Sequence, residues 1–196
     1  MPVFPKTALN LTPMLADLLQ QVPLFTPDDV EAFLPLWKKR LTVPRGDFLI
    51  REGQVEQHLY FVESGALRLY LPTAHEEICV GFAYPNTLIT AFPSLVTQTP
   101  SQYCIQALRR SELVAITKAD FDQIQEKRPI FGKFWRMELE KALVGKIERE
   151  VDLQLPDPAQ RLERLLRRSP HIFQLVPRKY IASYLRMTPE TLSRIM

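Results

Sequence analysis

The sequence ends on Thr188-Pro-Glu-Thr-Leu-Ser-Arg-Ile-Met196, and most of its candidate chemistry lies in those nine residues. Glu190 and Arg194 are four apart, so on a helix they share one face. A carboxylate there accepts from cytosine N4, and a guanidinium donates twice to guanine O6 and N7. Thr191 and Ser193 add hydroxyls for bases or phosphates. Opposite charges at this spacing also pair with each other, worth only about 0.2–0.5 kcal/mol in a free helix. Arg178 and Lys179 open the helical pattern before it, where phosphates are expected. This is recognition chemistry and not bond-making. Ser64 lies at a turn and not in a nucleophile elbow. His58, His75 and His171 lack metal-ligand spacing, so neither a metal nor an enzyme is expected. Cys79 and Cys104 read as buried thiols of a reducing compartment, with a redox role as the alternative.

The elements that must hold this face are legible in outline. Thr188 is placed to cap the last helix, and Pro189 suits its first turn. Thr188 also joins Arg178 and Lys179 as an expected phosphate contact. Leu192 and Ile195 point inward. Before them, Tyr180, Ile181, Tyr184 and Leu185 form an apolar side, and Arg186-Met187 makes the turn. Leu162, Leu165 and Leu166 mark one helix more. Helix, tight turn and short helix make a helix-turn-helix, whose second helix enters the major groove of double-stranded DNA. Residues 157–196 carry eight Lys/Arg against three Asp/Glu, a net +5, while residues 1–156 carry 17 against 19, a net −2. A basic terminal part suits a polyanion, and a solvated helix face is the plain alternative.

Upstream, helices are expected after Thr12 and Thr26, each followed by proline. From Leu41 to about Thr117, short β-rich runs alternate with turn signals, among them Pro44-Arg45-Gly46-Asp47 and Glu63-Ser64-Gly65, both read as hairpin turns. About eight such strands suggest an antiparallel barrel or jelly roll. A short helix from Lys118 follows, then a long one over roughly 130–155. On it Trp135, Leu139, Leu143, Ile147 and Val151 recur every fourth residue among charges. Such a helix is longer than a small barrel needs for cover, so it is expected to pair with a second copy. Lying wholly on its own barrel is the alternative. Pro156 and Pro158 break it. The expected parts are 1–128 (helices and β-roll), 129–156 (dimerisation helix) and 157–196 (DNA-binding domain), an α+β protein. No apolar run of roughly 18 residues and no secretory pattern is present, so a cytoplasmic protein with no membrane partner is expected.

This order of parts resembles the Crp/Fnr superfamily of bacterial transcription regulators over nearly the whole chain. Gly46 in "PRGDFL", Gly53 in "REGQ" and Gly65 in "ESGALRLY" fit its β-roll. The ending "PRKYIASYLRMTPETLSRI" is similar to short members from Bacteroidetes. The family's reading motif, Glu-x-x-Ser-Arg, falls on Glu190, Ser193 and Arg194. The resemblance implies a cyclic-nucleotide-binding-like β-roll, a homodimer, a palindromic DNA site and RNA polymerase as a further partner. Family members that bind cyclic nucleotides hold the phosphate with Gly-Glu and Arg-Ser pairs. Pro85-Asn86 and Ser101-Gln102 stand there instead, so cyclic AMP is not expected. The N-terminus lacks the cysteine cluster of oxygen-sensing members, and no cofactor is implied. Phe61, Leu69, Val80, Phe82, Leu88 and Ile89 would either line a pocket for another small-molecule effector or serve as plain core. A sensor or interaction module with a vestigial DNA-binding part is the rival reading. The family usually adds basic residues or a β-wing beyond the reading helix. Here neither follows Ile195, and a naturally short and a clipped chain both stay open.

Overall fold

The computed structural model describes residues 13–196. The expected cap at Thr12 lies outside them. Helix α1 spans Pro13–Gln20 and α2 spans Pro27–Phe33. The Thr26 side chain accepts from Asp29 N while the Asp29 carboxylate accepts from Thr26 N, a reciprocal cap. Pro35 lacks the amide that would continue α2, so the chain tightens into a 3-10 turn at Leu34–Leu36.

Eight strands follow: β1 Lys39–Val43, β2 Phe48–Ile50, β3 His58–Ser64, β4 Leu67–Pro72, β5 Glu77–Ala83, β6 Thr87–Ile89, β7 Cys104–Ala107 and β8 Ser111–Thr117. They form two antiparallel four-stranded sheets, ordered β1-β8-β3-β6 and β2-β7-β4-β5. The hairpin reading of two turns is corrected here. Pro44–Asp47 leads from β1 into β2, and Glu63–Gly65 from β3 into β4, yet each turn crosses from one sheet to the other. A turn signal marks where a chain bends and not which sheet it enters. Gly65 sits at φ +94°, and a Cβ there would lie 2.3 Å from Ser111 Oγ and 2.5 Å from the Arg110 carbonyl. Only glycine lets the corner close.

The two-residue period of β3 splits its side chains between two cores. Leu59 and Phe61 face α1, α2 and the later helices, packing with Phe33, Trp37, Phe131 and Phe134. Tyr60 and Val62 face the roll interior with Leu67, Ile105 and Leu113. Helix α3 spans Phe92–Thr97, α4 Lys118–Lys127 and α5 Pro129–Gln154. The terminal part holds α6 Pro158–Arg168, a short α7 Ile172–Leu175 that the sequence did not announce, α8 Arg178–Tyr184 and α9 Pro189–Ile195. Leu162, Leu165, Ile181, Leu185 and Leu192 form its core. That core is completed from outside the terminal part, by Ala66 and Leu108 of the roll.

Candidate nucleic-acid interface

Helix α9 is seated by Leu192, which is fully buried, and started by Thr188, whose hydroxyl accepts from Thr191 N at 3.1 Å. Pro189 occupies the first turn, where its missing amide loses nothing. Glu190, Ser193 and Arg194 are exposed and Thr191 is half-buried. The Glu190 carboxyl is held below its ordinary range by its own backbone amide and by Thr188, so it stays an acceptor. Among the described residues no ion pair joins Glu190 to Arg194.

Helix α8 presents Arg178 and Lys179 to solvent and buries Ile181 and Ala182. The turn into α9 puts Arg186 at φ +55°, with Met187 N donating to Ala182 O at 3.0 Å. That left-handed residue is secured by Arg161 of α6, whose guanidinium donates to the Leu185 and Arg186 carbonyls at 3.2 and 3.3 Å. Such a cap satisfies the carbonyls a helix end leaves open.

Three further residues join the terminal part to the rest, and sequence reading missed all of them. Arg149 of α5 donates to the Cys79 carbonyl in β5 and the Tyr184 carbonyl in α8, and stacks 4.4 Å over the Tyr184 ring. Asp152, only 1% exposed, receives hydrogen bonds from Arg164 and Arg168 of α6. Arg68 of β4, 3% exposed, donates to Gln106, pairs with Glu77 at 2.6 Å and stacks between Tyr70 and Tyr180. A charge inside the apolar run "ALRLY" was the one available signal. On a strand open to water it would be unremarkable, and α8 is what buries it.

The long helix divides its stripe between two surroundings. Trp135 and Leu139 are half-buried, with Trp135 edge-on to Phe121 at 5.2 Å. Leu143, Ile147 and Val151 are 60%, 53% and 48% exposed, and Val144, outside the expected stripe, adds 57%. This face has no cover within the described chain.

The residues expected at the phosphate site do not come together. Pro85-Asn86 form the turn before β6, where Asn86 N donates to Val62 O near the end of β3. Ser101 is buried at the other end, exchanging backbone hydrogen bonds with Gly53 and Gln54 in the loop that enters β3. Gln102 is exposed. Glu56, 2% exposed, lies at the start of α3. Its carboxylate accepts from the amides of Gln57, His58 and Ala91 and from the Tyr60 hydroxyl. Burial raises its pKa, and those hydrogen bonds oppose the rise. Of the six apolar residues read as a pocket lining or as core, five scatter over three clusters and Val80 joins none of them. Phe61 and Leu88 lie on the helix side, Ile89 and Leu69 inside the roll, and Phe82 against α8. They therefore do not line one pocket.

Cys79 and Cys104 flank Tyr70 from the two strands beside β4, as free buried thiols. Burial pushes the Cys79 thiol up to about 11, which makes it unreactive at neutral pH. Among the described residues no cluster of His, Cys, Asp and Glu could hold a metal, and no helix is long and apolar enough to cross a membrane.

Residues 40–128 match the family model described as the cyclic nucleotide-binding domain. FixK2 from Bradyrhizobium japonicum is similar in structure, with a TM-score of 0.68 at 16% identity, covering 80% of this chain and 81% of that one. The c-di-GMP responsive global regulator CLP of Xanthomonas campestris gives 0.61 at 16%, covering 80% and 84%. The fold is thus a cyclic-nucleotide-binding-type β-roll followed by a long helix, as in these two solved structures. The patatin-like phospholipase domain-containing protein 7 of Rattus norvegicus is 30% identical over 91 residues, 45% of this chain. The chain spans only 7% of the length of that curated relative.

Proposed function

We propose that this chain is a sequence-specific DNA-binding transcription regulator of the Crp/Fnr type. It acts as a homodimer paired through α5, works with RNA polymerase in the cytoplasm, and reads a palindromic site with α9. The observation that carries the reading is the exposed Glu190, Ser193 and Arg194 face on a capped helix anchored by Leu192. Two such helices in a dimer meet half-sites about 34 Å apart on one side of the duplex.

The test is selection of binding sites from randomised duplexes. A palindrome with a G·C pair in each half is expected. Arg194→Ala weakens binding by about 1–3 kcal/mol per half-site and relaxes the choice of base there. Lys179→Ala weakens all sequences alike and lowers the salt dependence by about one charge. If Arg194→Ala selects the same palindrome as strictly as the native chain, α9 is not the reader.

The roll does not take cyclic AMP or cyclic GMP in this reading. The Gly-Glu and Arg-Ser pairs with which the family's cyclic-nucleotide binders hold the phosphate are replaced here by Pro85-Asn86 and Ser101-Gln102. Neither replacement supplies a carboxylate or a guanidinium for the nucleotide. Calorimetry with either nucleotide is expected to give no saturable heat, and binding at micromolar concentration overturns this part.

A further inference from the structure

A cavity of about 360 Å³ opens between the roll and the terminal part. One wall comes from two roll turns: Arg45 between β1 and β2, and Arg109 and Arg110 between β7 and β8. The other wall comes from Phe173 of α7 and the residues that follow it. Leu108 and Val176, both buried, supply apolar surface to it. Its volume lies at the lower end of the range of small-molecule sites.

The charge of the cavity is specific to it. Residues 1–156 are net negative, yet three arginines line this cavity. Of the three, Arg110 is paired with Glu112, at 3.1 Å. Arg109 donates to the Gln174 carbonyl and so ties the roll to α7. Among the described residues no acid pairs with Arg45. Two positive charges are left over after Glu112 is counted, beside an aromatic ring that is half-buried.

We propose that this cavity is a binding site for a compact organic anion, a phosphate or carboxylate carried on a planar apolar group. The guanidiniums take the anionic oxygens, and Phe173, Leu108 and Val176 take the apolar body. Because the two walls belong to different parts of the chain, an occupant holds the terminal part in its observed place on the roll. Occupancy is thereby linked to where α9 points, a consequence that rests on the DNA-binding reading.

The experiment needs no DNA, so it fails or succeeds apart from that reading. Phenyl phosphate and inorganic phosphate are titrated into the full chain by calorimetry, with thermal melting in parallel. Phenyl phosphate is expected to bind saturably, more tightly than inorganic phosphate, and to raise the melting temperature. Arg45→Gln with Arg110→Gln should weaken both probes about tenfold or more while the unliganded melt stays put. Phe173→Leu should weaken phenyl phosphate and leave inorganic phosphate unchanged. Arg109 is left intact because it bridges to Gln174. The proposal falls if phenyl phosphate shows no saturable binding, or if the double variant binds it as the native chain does.

Discussion

Replacing Leu143 and Ile147 together by glutamate is expected to convert a dimer into monomers. Both side chains are more than half exposed, with Val144 and Val151 beside them, so none of the four has a place in the chain's own core. A second α5 laid against this face would bury all four on each helix. Burial of such side chains is worth roughly 1.5–3 kcal/mol each at best, and incomplete cover brings less. Glutamates remove two of them per helix and set like charges across the seam. The loss reaches several kcal/mol, hence two or more orders of magnitude in the dimer constant. The same exposure lets the variant keep its own fold, which circular dichroism would verify. Light scattering then decides the matter. An unchanged dimer mass would move the pairing surface away from α5. Binding to a palindromic duplex should weaken in step, because a monomer engages one half-site.

Asp152→Ala is expected to lower the stability of the chain by roughly 3 kcal/mol, because one buried carboxylate serves two guanidiniums. Arg164 and Arg168 are 36% and 25% exposed, so water screens part of the loss and the lower end of the range for broken buried pairs applies. Burial alone would raise the pKa of Asp152. Hydrogen bonds from Arg168 and Arg164 outweigh it and hold the carboxyl below its ordinary range. The stabilisation is therefore fully present above the unfolded value near 4 and fades as pH falls through the lower folded value. Denaturant midpoints at neutral pH should separate the native chain from Asp152→Ala and from Asp152→Asn, which keeps one acceptor oxygen but no charge. The gap should narrow in acid. Equal midpoints at neutral pH would make the cluster a surface feature of no consequence.

What could be read in advance follows from range. Caps and helix starts depend on neighbours a few residues apart. Thr26, Thr188 and the proline after each were legible for that reason, and so was the Leu192 and Ile195 side of α9. Strand number was legible from the spacing of turns. Strand partnership was not, because β1 and β8 meet across about 70 residues of chain and no local pattern encodes the pairing. The placement of the residues aligned with the phosphate site was not legible either. Residues aligned by resemblance at Pro85-Asn86 and Ser101-Gln102 land at opposite ends of β3, while Glu56, an ordinary acid in "GQVEQHLY", lies at the start of α3. Arg149 and Asp152 were lost in the crowd of α5 charges. Only the docking of α6 and α8 distinguishes them from Glu150 on the outside.

The apolar centre beneath α9 is finished by Ala66 and Leu108, which belong to the roll. The last forty residues are accordingly not a detachable cassette. Cut away, they would leave Ile172, Val176 and Ile181 short of partners, and the roll would show water a bare patch around Leu108. The two parts are therefore expected to melt as one cooperative unit and not as beads on a string. A terminal part transplanted onto a foreign roll is expected to lose stability unless the new host offers a small side chain and a leucine at those two places.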